Sequence, residues 1–121
     1  MLRLAPFKSD ADHVVALEID GAIGAQDFTN IVSTINDRLE QHDSLRLYIE
    51  LKSLGGMAVT DTFDQIRDAI GHWNRFDKLA VVTDIDGVRT ATSVLDKLAP
   101  KMACQTYRFD ARESAQQWVI A

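Results

Sequence analysis

Leu45-Arg46-Leu47-Tyr48-Ile49-Glu50-Leu51 is the stretch on which the fold turns. Its aliphatic residues fall at every second position, with Arg46, Tyr48 and Glu50 between them, the period of an extended chain with one strongly apolar face. On its amino side His42, Asp43 and Ser44 are turn formers. Before them Phe28, Ile31, Val32, Ile35 and Leu39 recur at the 3,4-residue spacing of one helical stripe, which predicts a helix over 25–41. On its carboxyl side the pair Gly55-Gly56 marks a loop whose backbone needs positive φ. Thr62 with Gln65 three residues later then reads as a capping box, and Phe63, Ile66, Ile70 and Trp73 carry helical spacing to about Asn74.

Further out, Val15, Leu17 and Ile19 alternate with Ala16, Glu18 and Asp20 as in a half-buried strand, which Gly21 and Gly24 end. Leu2–Phe7 is short and apolar with Pro6 inside it, which suits an edge strand. Leu79–Val82 is a continuous apolar run, the pattern of a central strand covered on both faces. Val88, Ala91, Leu95 and Leu98 predict a third helix stopped by Pro100. A last strand follows over about 103–109, and Asp110 with Glu113 reads as a second capping box opening a final helix through Ala115, Trp118 and Val119. The order β-β-α-β-α-β-α-β-α predicts an α/β fold with a mostly parallel mixed sheet and right-handed crossovers, its first two strands pairing antiparallel at one side.

The 121 residues suit one domain spanning 1–121, and 46% apolar with 26% charged residues is an ordinary globular composition. A net charge of −5 with scattered basic residues argues against nucleic acid as a partner. Cys104 is the sole cysteine, so no intrachain disulfide and no cysteine-based zinc site can form, and a reducing cytoplasm is expected. Residues 1–10 lack the apolar core of a signal peptide, and no stretch approaches the ~20 apolar residues of a membrane span. Nothing in the sequence marks an oligomeric state.

That element order, together with Val14-Val15-Ala16-Leu17-Glu18-Ile19-Asp20-Gly21, the Asp27-Phe28 helix opening, Lys78-Leu79-Ala80-Val81-Val82-Thr83-Asp84 and the ending Tyr107-Arg108-Phe109…Ala115…Trp118, resembles the SpoIIAA-like family of STAS domains. The resemblance covers nearly the whole chain and rests on order and spacing, not on one specific motif. It implies a non-catalytic binding or regulatory module without a cofactor. The similarity of this branch to CRAL-TRIO lipid-binding domains implies a small nonpolar ligand, and its sigma-regulating members imply a regulatory protein partner. Those members carry an Asp-Ser-Ser/Thr-Gly-like phosphorylation motif, whereas the corresponding stretch here is Val59-Thr60-Asp61-Thr62-Phe63, without the Ser-Gly pair. Thr60 or Thr62 could accept a phosphate near a helix N-terminus; the simpler expectation is that both cap the helix.

For a ligand, Tyr48 and Glu50 share a strand face, and the stripe Phe63, Ile66, Ile70 and Trp73 is expected above them, giving an apolar lining with a few polar groups. The same residues would serve equally as core. Glu50, if buried, needs a partner for its charge. A competing signal is Val82-Thr83-Asp84-Ile85-Asp86-Gly87, which looks like the first motif of haloacid dehalogenase-type phosphatases, with a nucleophilic aspartate and a second acid around magnesium. Only 33 residues follow Val88, so upstream elements would have to supply the other groups of that chemistry in permuted order, and the simpler expectation is that Asp84 and Asp86 end a strand and cap a helix. His13, His42 and His72 lie in separate segments without metal-pair spacing, and Cys104 has no neighbour to activate it.

Overall fold

The alternation at 45–51 and 14–20 and the apolar run at 79–82 become the middle of a five-stranded sheet in the computed structural model, which describes residues 1–5, 7, 12–71, 73–85 and 102–121, with the backbone alone at Val59, Thr60 and Trp73. The strands are β1 (Leu2–Leu4), β2 (Val14–Asp20), β3 (Leu45–Ser53), β4 (Phe76–Val82) and β5 (Ala103–Tyr107), and they lie in sequence order across the sheet. β1 pairs antiparallel with β2 and the other neighbours are parallel. The helices are α1 (Phe28–Leu39), α2 (Val59–Ile70) and α3 (Arg112–Ile120). The helix expected across Val88–Leu98 lies outside the described residues.

Two cores flank the sheet. On one face Leu45, Leu47, Ile49 and Leu51 of β3 join Val15, Leu17 and Ile19 of β2 beneath Ile31 and Ile35 of α1 and Phe63, Ile66 and Ile70 of α2. Each fully buried aliphatic chain there contributes about 1.5–3 kcal/mol. On the other face Val14, Ala16, Tyr48, Ala80 and Val82 pack against Ala115 and Val119 of α3, with Ala5 and Phe7 beside them. β2 is therefore buried on both faces, not half-buried as its alternation suggests: Ala16 and Glu18 lie under cover too.

Several element ends differ from the sequence-based expectation. α2 starts three residues before Thr62, with Ala58 as its N-cap. The Thr62 hydroxyl donates back to the Ala58 carbonyl at 3.1 Å, as a threonine inside a helix does, so it does not cap. The helix stops at Ile70 because Gly71 takes a left-handed φ of +71° and its N–H donates to the Arg67 carbonyl. Trp73 consequently falls in a separate 3-10 turn, Trp73–Arg75, and not on the α2 stripe. Likewise Asp110 sits inside a 3-10 turn, Phe109–Ala111, and α3 has Ala111 as its N-cap without a side-chain cap. A cap that the sequence did not reveal is Asp27, whose Oδ2 accepts from the N–H of Gly24 at 3.0 Å and of Leu2 at 3.3 Å, tying β1 to the entrance of α1.

α3 runs antiparallel to the parallel strands. Its last carbonyls meet side chains from the strands' starting ends: Arg46 Nη1 donates to Val119 O at 2.9 Å and Lys78 Nζ to Trp118 O at 3.0 Å, while His13 Nε2 lies 3.0 Å from Ile120 O. One arginine and one lysine charge at a helix C-terminus complement its dipole. Its first turn consequently lies at the strands' carboxyl ends.

Candidate functional site

At that carboxyl end α3 does not reach across the sheet, and a cleft of about 360 Å³ opens between its first turns and Ala5, lined by Ala5, Glu18, Glu50, Arg112, Glu113 and Gln116. Strand alternation sends Glu18 of β2 and Tyr48, Glu50 and Lys52 of β3 to the α3 side. Register sets Arg3, Glu18 and Glu50 in one row across β1, β2 and β3. Charged groups thus form the cleft floor.

The side chain of Glu18 is only 8% exposed, and two cations hold it: Lys52 Nζ at 2.6 Å from Oε1 and Arg3 Nη2 at 2.7 Å from Oε2. The hydrogen bond from Lys52, and then that from Arg3, draws its carboxyl below the ordinary glutamate range despite burial. Glu50, 14% exposed, has a different environment. Its Oε2 accepts the Tyr48 hydroxyl proton at 2.9 Å, while its Oε1 has only the Arg112 guanidinium, 3.7 Å away, among the described residues. Tyr48 is fully buried, has its ring centroid 5.2 Å from that of Phe7 with the planes tilted by 46°, and accepts from Gln116 Nε2 at 3.3 Å. Desolvation first, and then its bond to Glu50, push the phenol well above its ordinary range, which favours the neutral hydroxyl that donates to Glu50.

Of the six residues expected to line a ligand pocket, the five whose side chains are described fall on opposite faces of the sheet. Tyr48 and Glu50 belong to the α3 face, whereas Phe63, Ile66 and Ile70 fill the opposite core under α2. The reason is the apolar row Leu45, Leu47, Ile49 and Leu51, which takes both amphipathic helices and leaves Tyr48 and Glu50 to the other side. The side chain of Trp73 lies outside the described ones, as does that of Thr60. Thr62 is buried and bonded inside α2, which removes it as an accessible phosphate acceptor. The sequence singled out Tyr48 and Glu50 but missed Glu18, Arg112, Glu113 and Gln116; the alternation through Glu18, read with the parallel register, is the signal that would have found the first.

At the carboxyl end of β4, Asp84 Oδ1 accepts from the Phe109 N–H at 3.2 Å and lies 3.7 Å from Arg108 Nε, binding the end of β4 to the turn before α3. Asp86 lies outside the described residues. Among the described residues no group of three or more His, Cys, Asp or Glu side chains converges as a metal site, and no helix is long and apolar enough to cross a membrane. Cys104 is half-buried against the larger core, and His13 serves the end of α3.

No curated protein matches the sequence. Among solved structures, an uncharacterised protein of the DUF3478 family from Shewanella loihica PV-4, described as having a SpoIIAA-like fold, superposes with a TM-score of 0.68 over 98% of this chain and 93% of its own, at 17% identity. The family model for SpoIIAA-like proteins matches residues 14–120, which takes in the strands β2 to β5, the helices α1, α2 and α3, and Glu18 and Glu50 on the floor of the cleft. The chain belongs to the SpoIIAA-like family.

Proposed function

We propose that the protein is a non-catalytic, cytoplasmic binding module that holds a small ligand, or a short segment of a regulatory partner, in the cleft between α3 and β1. The observation that carries this reading is Glu50: a largely buried carboxylate with one oxygen fixed by Tyr48 and the other facing the cleft with only Arg112 at 3.7 Å. A buried carboxylate left short of donors gains from any donor that arrives. Five of the six lining residues are polar or charged, so the cleft favours a polar ligand over the nonpolar, lipid-like one that family resemblance implies. Asp84 is committed to the Phe109 N–H, which speaks for binding without phosphoryl chemistry at that strand end.

The test is native mass spectrometry of the purified protein, with denaturing extraction and identification of any small molecule released. A polar molecule that stays with the wild type and is lost from Glu50→Gln, while the fold survives, supports the reading. Retention of a lipid unaffected by Glu50→Gln would place binding elsewhere and overturn it. If the protein comes bare, affinity capture with wild type against Glu50→Gln tests the partner version, and identical captured sets overturn that too.

A further inference from the structure

The two ends of α3 are held very differently. At the carboxyl end Val119 is fully buried, Trp118 and Ile120 pack against the same core, and Arg46, Lys78 and His13 each contact a terminal carbonyl at 2.9–3.0 Å. Lys78 Nζ also lies 4.9 Å above the Trp118 ring. At the amino end Arg112, Glu113 and Ser114 are exposed and only the Ala115 methyl is fully buried. The side-chain ties of its first turns are the 3.3 Å hydrogen bond from Gln116 to Tyr48 and the 3.7 Å approach of Arg112 to Glu50, and the turn before them is held by Asp84, 3.2 Å from the Phe109 N–H and 3.7 Å from Arg108 Nε, with the partly buried Phe109 against the same core. All four distances lie at the long end of their kind.

We propose that α3 is hinged at its carboxyl end, and that its amino-terminal turns lift from the sheet to widen the cleft and uncover Tyr48 and Glu50. Lifting that end gives up the Ala115 methyl contact, one long hydrogen bond and one loose ion pair, and pulls on the Phe109–Ala111 turn, whose hold on the sheet is the partly buried Phe109 and the two Asp84 contacts. Releasing the other end would expose a valine, an isoleucine and an indole and strip three side chains from the helix carbonyls. Local opening follows the elements with the fewest buried apolar contacts, so the amino end opens first. The same motion moves Arg112 away from Glu50 and takes Gln116 off the tyrosine oxygen, which still donates to Glu50, making the wall of the cleft its door. This hinge rests on how α3 is packed and is observable in the free protein, so its failure would leave the ligand reading standing.

Relaxation-dispersion NMR on the full chain reads motion of this kind on the μs–ms scale. In wild type, exchange is expected at the Ala115 methyl and the Tyr48 ring and not at the Val119 methyls. Gln116→Ala and Tyr48→Phe each remove the same hydrogen bond and are expected to raise the open population roughly two- to tenfold. Exchange confined to the Ala115 end in wild type or in either variant supports the hinge. Equal exchange at Ala115 and Val119, which would mean that the helix undocks as a unit, overturns it. Flat profiles at Ala115 in all three proteins overturn it as well.

Discussion

Glu18 and Glu50 stand opposite each other in register on the neighbouring parallel strands β2 and β3, both turned toward α3. Adjacent strands are about 4.8 Å apart, and like charges directly opposite each other destabilise a sheet. The fold resolves the conflict by assigning each carboxylate its own partners: Arg3 and Lys52 neutralise Glu18, and the Tyr48 hydroxyl with the more distant Arg112 serves Glu50. The two acids are therefore unequal. Glu18 is tied into the sheet, while Glu50 keeps an oxygen for the cleft.

The tie on Glu18 has a pH signature. Because its carboxyl is lowered in the folded state, its contribution is present above the unfolded value of about 4.3 and is lost as pH falls from there through the folded value. Glu18→Gln is expected to cost about 1 kcal/mol at neutral pH, since Arg3 and Lys52 are half-exposed and can return to water. Urea unfolding from about pH 6 to about pH 2 should show a shallower acid decline in the variant. An unchanged decline would mean that other carboxylates carry it.

Tyr48 has the opposite signature. Its phenol is raised, so the stability it contributes is present below the unfolded value of about 10 and is lost as pH rises beyond it. Tyr48→Phe is expected to flatten the alkaline limb of stability. At neutral pH it should cost about 1–2 kcal/mol, because Glu50 Oε2 loses its donor and Gln116 its acceptor. Denaturant curves at neutral and alkaline pH check both parts.

The periodicities at 14–20, 28–39 and 45–51 made the sheet and α1 legible, because period 2 and period 3.6 are local properties of the chain. Which face of the sheet a helix covers is not local. Tyr48 and Glu50 do share a face, as alternation requires, yet α2 packs on the other one, drawn there by the row from Leu45 to Leu51. The cleft combines a residue near the start of the chain, Ala5, with Gln116 near its end, a meeting that no spacing rule encodes. Capping boxes misled for a related reason: Thr62 and Asp110 have the spacing, but each lies inside a turn that had already begun.

A phosphate on Thr62 would have to displace a hydroxyl that is 2% exposed and bonded to Ala58. Thr62→Asp, which puts a carboxylate in the same place without a partner, is expected to destabilise by about 3 kcal/mol or more. Thr62→Val, which keeps the shape, should stay within about 1 kcal/mol. A Thr62→Asp variant as stable as wild type in thermal denaturation would reopen this residue as a switch.

Gly55 and Gly56 are adjacent, share left-handed backbone angles of +57° and +84°, and differ in what surrounds them. A Cβ on Gly56 would meet nothing within 4 Å, so Gly56→Ala bears only the conformational penalty of about 1 kcal/mol. A Cβ on Gly55 would stand 2.3 Å from the Ala22 nitrogen and 2.8 Å from the Gly21 carbon, backbone atoms of the loop that follows β2. No side chain can swing aside there; the two loops must part. Gly55→Ala is therefore expected to cost more than about 2 kcal/mol and clearly more than Gly56→Ala, as compared by denaturant midpoints. Those loops sit at the same carboxyl end of β2 and β3 as Glu18 and Glu50. A Gly55→Ala protein that still folds should therefore show amide shifts at both glutamates, whereas Gly56→Ala should leave them in place.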